Sequence, residues 1–93
     1  MPYISPEMRE EVYPALRVLM NRVEAVCKEH QVEPDGTLNY VITSLLLGFF
    51  NEEKYSTYER GMGLISCVGH EFYRRQVAPY EDKKKAESGD VFF

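Results

Sequence analysis

Along the first third of the chain, apolar residues recur at Leu16, Leu19, Met20, Val23, Val26 and Cys27. Steps of three and four place them on one stripe of an α-helix, with Arg17, Arg22, Glu24, Lys28 and Glu29 largely outside it. The pattern predicts a long helix from Pro14 to about His30. Upstream, Ser5-Pro6-Glu7 reads as a helix start: a hydroxyl cap, a proline suited to the first helical position, and an acid that complements the dipole. Pro14 removes one backbone donor and disfavours helical geometry at Tyr13. The expected arrangement is therefore a short turn over Pro6–Val12 and then the long helix, with a single kinked helix as the alternative.

Glu33-Pro34-Asp35-Gly36 is a turn by composition. A second helix is expected over about Leu38–Phe50, capped by Asp35 or Thr37. It is apolar on nearly every side, with Leu38, Tyr40, Val41, Ile42, Leu45, Leu46, Leu47, Phe49 and Phe50. A helix of that kind needs cover on several sides. Three helices supply too little, so the pattern predicts self-association. After a polar link at Asn51–Lys54, Ser56-Thr57-Tyr58-Glu59 matches a capping box. The third helix is expected from Thr57 to about Val77, with Tyr58, Met62, Ile65, Val68 and Phe72 on its stripe and Leu64 beside it. Gly61, Gly63 and Gly69 lie inside this helix, each costing about 1 kcal/mol relative to alanine. Close approach of another backbone explains them better than a ligand contact does.

Ala78-Pro79 is expected to end the third helix. Tyr80–Glu87 then reads as one or two solvated helical turns, Gly89-Asp90 as a stop, and Val91-Phe92-Phe93 as an apolar tail that docks on the body or on a neighbouring subunit. The expectation is an all-α fold: a small oligomeric bundle of three main helices. It forms one domain over residues 1–93, with an N-terminal arm (1–13) and a C-terminal extension (80–93).

Composition supports a folded chain. Of 93 residues, 44% are apolar and 28% are charged, fractions that argue against disorder. The longest apolar stretch, Tyr40–Phe50, is shorter than the roughly 20 residues of a membrane span. The start MPYISPEMREE turns acidic where a secretion signal would be apolar. No membrane association and a cytoplasmic location are expected. The net charge of −4 argues against duplex nucleic acid as a partner. The charge is uneven, however. Glu7, Glu10 and Glu11 crowd the start, whereas Arg74, Arg75, Lys83, Lys84 and Lys85 crowd the end, where a local anion site is conceivable. Cys27 and Cys67 fall at apolar helical positions and read as buried free thiols. Without a CxxC or a histidine at ligand spacing, neither a metal nor another cofactor is expected.

No catalytic set can be assembled by spacing, so the expectation is a protein that is not an enzyme. His30, near a helix C-terminus, reads as a partner of the dipole. His70 shares a helical face with Arg74 but lacks the second half of a nucleophilic or metal site. The strongest constellation runs from Glu71 to Lys83. Arginine offers a planar, bidentate clamp for phosphate, and tyrosine a stacking face for a base. Tyr73, Arg74, Arg75, Tyr80, Lys83 and neighbouring His70 are the candidate ligand-binding residues, for a small anionic ligand of nucleotide type. Against this stands a plainer reading, a solvated helix end whose arginines pair with Glu71, Glu81 or Asp82. Seven tyrosines and no tryptophan suit an interface, since tyrosine couples apolar area to a hydroxyl.

The segments Pro2-Tyr3-Ile4, Leu38-Asn39-Tyr40-Val41-Ile42-Thr43, Glu71–Lys83 and Gly89-Asp90-Val91 give the chain its resemblance to a family of short uncharacterised proteins of bacteriophage and prokaryotic genomes. The resemblance brings no catalytic residues. It implies a phage-associated or mobile-element protein and, by analogy of size and context, an oligomer that sequesters an immune signalling nucleotide. The alternative is a protein–protein adaptor or inhibitor acting through the tyrosines and the Phe92-Phe93 tail.

Overall fold

The computed structural model describes residues 3–90; the Val91-Phe92-Phe93 tail and Pro2 lie outside them. The chain is all-α, with three main helices as the sequence pattern predicts: α1 (Pro6–His30), α2 (Asp35–Phe49) and α3 (Tyr55–Phe72), with a fourth, α4 (Ala78–Ser88), joined to α3 by a π-helical turn at Tyr73–Val77. Its contacts divide it into two compact units, Met1–Leu45 and Leu46–Phe93.

In the first unit, α1 starts as its sequence dictates. The Ser5 backbone is extended, and its hydroxyl accepts from the Met8 amide at 3.2 Å. Pro6 occupies the first turn, where its missing N–H costs nothing. The helix then runs through Pro14 without interruption, the second of the two arrangements open to it. Its end is a Schellman motif. Val32 N–H donates to the Cys27 carbonyl at 3.0 Å, and Gln31 N–H to the Lys28 carbonyl at 3.3 Å. The motif holds Gln31 at φ 55°, ψ 48°, a left-handed conformation that crowds a Cβ. Gln31→Gly is therefore expected to stabilise the protein by roughly 0.5–1 kcal/mol, seen as a higher midpoint in urea.

The α1–α2 hairpin closes at its loop end. Val23 and Cys27 are buried there, Thr37 and Val41 are half-buried, and the Cys27 thiol donates to the Thr37 hydroxyl at 3.7 Å. Thr37 thus ties the two helices together from within α2, which begins at Asp35. Beyond this point the apolar stripes remain open. Leu16, Leu19 and Met20 on α1 and Leu38, Ile42 and Leu45 on α2 are each 36–51% exposed.

In the second unit the chain turns back at Phe50. The Phe50 ring lies against Gly61, where a Cβ would stand 3.5 Å from it, and the Arg60 guanidinium sits 5.4 Å from the ring centre. Thr57 and Gly61 are buried and Leu64 and Ile65 half-buried, so this face of α3 holds the unit together. The capping box does not form. Helix α3 starts earlier, at Tyr55, with Lys54 as its N-cap and no side-chain cap bond, and Thr57 is used for packing instead. Gly63 and Gly69 have open space where a side chain would be, so no close approach within the chain accounts for them.

The expected stop at Ala78-Pro79 is also corrected. The wide turn has the Ala78 N–H donating to the Tyr73 carbonyl, five residues back, and backbone angles remain right-handed at Phe72, Tyr73, Val77 and Ala78. The turn opens the backbone where the proline ring would otherwise meet a carbonyl. Pro79 then lies in the first turn of α4, where no N–H is needed. Helical backbone thus continues from Tyr55 to Ser88.

Candidate functional site

The candidate ligand-binding residues all fall on this continuous rod. His70 is in the last turn of α3, Tyr73, Arg74 and Arg75 are in the π turn, and Tyr80 and Lys83 are in α4. All six are exposed. Because the helix continues, the arginines lie in mid-rod, and a terminal dipole does not explain their position.

The π turn also sets which side chains meet. In a regular helix, residues eight apart are about 80° out of line. The wider turn takes up that difference, and the Tyr73 hydroxyl bonds the Glu81 carboxylate. This bond, then the negative charge of Glu81, then desolvation and last the charge of Asp82 raise the Tyr73 hydroxyl above its ordinary pKa. Arg74 and Arg75 converge on a different carboxylate. Both guanidinia donate to half-buried Glu71, Arg74 Nη2 at 3.0 Å to each oxygen and Arg75 Nε at 2.7 Å to Oε2. Tyr80 carries the Lys84 ammonium 5.5 Å from its ring centre.

The structure therefore joins Arg74 to Arg75 through Glu71, and sets Tyr73 and Tyr80 against other partners. An open hollow of about 450 Å³ beside the π turn is lined by Tyr73, Glu81, Asp82, Lys84, Lys85 and Asp90 among others. Lys85 pairs with Asp90 at 3.0 Å, and the acids outnumber the lysines among these six, so the hollow does not itself attract an anion. What recommends a phosphate is the arginine fork alone. Two guanidinia already held around one carboxylate present several N–H donors to a planar or tetrahedral oxyanion. Sequence reasoning found the arginines and named Glu71 as a partner. It grouped Tyr73 with the arginines because they are neighbours in one stretch of sequence at an expected helix end.

Both cysteines are free, Cys27 buried and Cys67 half-buried. Among the described residues, no group of three or more His, Cys, Asp or Glu side chains is arranged to hold a metal ion, and no helix is long and apolar enough to cross a membrane. No curated protein and no solved structure matches the chain. A family model does match it, over residues 1–91, and the segments that gave the sequence its resemblance lie in that span; the chain belongs to the domain family of unknown function DUF6899.

Proposed function

We propose that this chain is a non-enzymatic, homo-oligomeric binding protein that holds a small anionic ligand of nucleotide type. The observation that carries the reading is its exposed apolar surface. Two compact globules of half the chain's mass each would together expose about 6,700 Å² by the scaling of folded proteins. The chain exposes 8548 Å², and among the described residues no side chain is fully buried. Large apolar side chains are exposed on all three main helices, among them Met20, Phe49 and Met62. An ordinary soluble monomer leaves no such surface uncovered. The open space at Gly63 and Gly69 fits the same reading, since it leaves room for a neighbouring copy to approach the α3 backbone.

The ligand reading rests on Arg74 and Arg75. A phosphate group would take the place of Glu71 between them, bringing a larger charge and more acceptor oxygens in the same fork. A phage-encoded protein of the host cytoplasm that sequesters a signalling nucleotide suits both parts. Native mass spectrometry of freshly purified protein tests them together, because it reports the subunit number and any retained small molecule. Calorimetry with cyclic di- and trinucleotides follows. Arg74→Ala with Arg75→Ala is expected to abolish binding and leave the far-UV circular dichroism unchanged; undiminished binding would reject the site.

Tyr40 and Tyr55, 72% and 80% exposed, favour a second reading, an adaptor or inhibitor of another protein. A stable monomer at micromolar concentration in sedimentation would favour it over the first.

A further inference from the structure

Glu71 occupies the seat between the two arginines that a bound anion would take. Its half-buried carboxylate accepts from Arg74 through Nη2, at 3.0 Å to each oxygen, and from Arg75 through Nε, at 2.7 Å to Oε2. It stands three residues before Arg74 and four before Arg75, so the helix holds it beside them. We infer that Glu71 is a built-in competitor, and that the anion able to displace it is a terminal phosphate monoester rather than a phosphate diester. The inference deepens the anionic-ligand reading and rests on it.

Charge separates the two classes. A diester carries one negative charge, as Glu71 does. Exchanging one for the other leaves the charge between the guanidinia as it was, and the incoming diester also loses the freedom of a separate molecule. A monoester carries about −1.5 to −2 near neutral pH. With Glu71 swung aside, two guanidinia and one carboxylate still leave a net positive charge, and the attraction grows with the charge of the ligand. Geometry acts in the same direction. The bonds to Glu71 engage Nη2 of one arginine and Nε of the other, because a side chain of the same helix reaches them from below. An oxyanion arriving from solvent can face the two-nitrogen edge of a guanidinium and accept two parallel bonds. A terminal phosphate brings three oxygens to two such edges, and a diester brings two. The seat is also open to exchange. The side chains of Arg74, Arg75 and Glu71 are 63%, 60% and 36% exposed, and ion pairs at that exposure are weak enough to be replaced.

Calorimetry of the full chain with adenosine 5′-monophosphate and adenosine 3′,5′-cyclic monophosphate compares the two classes on one base and one sugar. The wild type is expected to bind the 5′-monophosphate about tenfold more tightly than the cyclic diester. Glu71→Gln keeps the shape of the side chain and removes its charge. It is expected to tighten binding of the 5′-monophosphate by about threefold to tenfold, as the loss of two exposed ion pairs allows, with unchanged far-UV circular dichroism. Equal affinity of the wild type for the two nucleotides overturns the inference, and so does a Glu71→Gln protein that binds the 5′-monophosphate no more tightly. Binding of a cyclic dinucleotide without the 5′-monophosphate also overturns it, and leaves the anionic-ligand reading standing. Binding of the 5′-monophosphate that survives Arg74→Ala with Arg75→Ala removes both, as does binding of none of these nucleotides by either protein.

Discussion

Val23→Asp is expected to unfold the α1–α2 hairpin, with a loss of about 3 kcal/mol or more and a large fall in helical circular dichroism at 25 °C. Val23 and Cys27 are the buried apolar side chains of the described structure. A carboxylate there gives up its hydration, and Lys28, which lines the α1–α2 groove with Val23, is exposed and already paired with Glu24, so the change is among the costliest of single ones. The loss is a large fraction of what a small domain has in reserve. Val18→Asp is the control. Val18 is on the same helix but 70% exposed and off the stripe, so its replacement should shift stability by no more than about 0.5 kcal/mol. A Val23→Asp protein that melts with the wild type would mean that the closed end of the hairpin does not hold the unit together.

The same contrast between Val23 and Val18 explains how much of the fold was legible in the sequence. Residues on one stripe of a regular helix can be counted, and the count places Val23 and Cys27 inward and Arg22 and Lys28 outward without knowledge of any neighbour. The start at Ser5 and the turn at Pro34 were legible for the same reason, since each depends on a few adjacent residues. Three local signals were misread. Pro14 reads as separating a short turn from the long helix, and α1 runs through it. Ser56 and Glu59 have the spacing of a capping box, but α3 begins at Tyr55 with Lys54 as its N-cap, so Ser56 already lies inside the helix and cannot cap it. Pro79 reads as a stop if the preceding turn is regular, and here it is not: one wide turn carries the helix past it. Such a turn has no composition signal, and it also redistributes the candidate site. It brings Tyr73 to Glu81 and leaves Arg74 and Arg75 on Glu71, where adjacency in the sequence had grouped tyrosine and arginines. The surplus of apolar surface was visible in α2 from the sequence. Which face stays uncovered needed coordinates.

Pro14 poses the opposite question, whether a locally unfavourable residue is tolerated or used. It stands in the interior of the 25-residue α1, where it cannot donate to the Glu10 carbonyl and its ring presses on that carbonyl. Its surroundings give little in return, because Pro14 is exposed and lines only a shallow hollow with Ile4, Pro6, Val12, Tyr13 and Leu16. An interior proline costs about 3 kcal/mol relative to alanine. Relaxing the unfolded chain gives back roughly 0.4–1 kcal/mol of that difference. Pro14→Ala should therefore stabilise the protein by about 2 kcal/mol, read as a higher urea midpoint at unchanged slope. Were the midpoint to fall instead, the proline would be serving the assembly, by setting the direction in which the first two turns of α1 leave the hairpin. Sedimentation of the same variant would then show a smaller particle, because the apolar positions Met8 and Val12, half or more exposed in the single chain, would no longer reach a second copy.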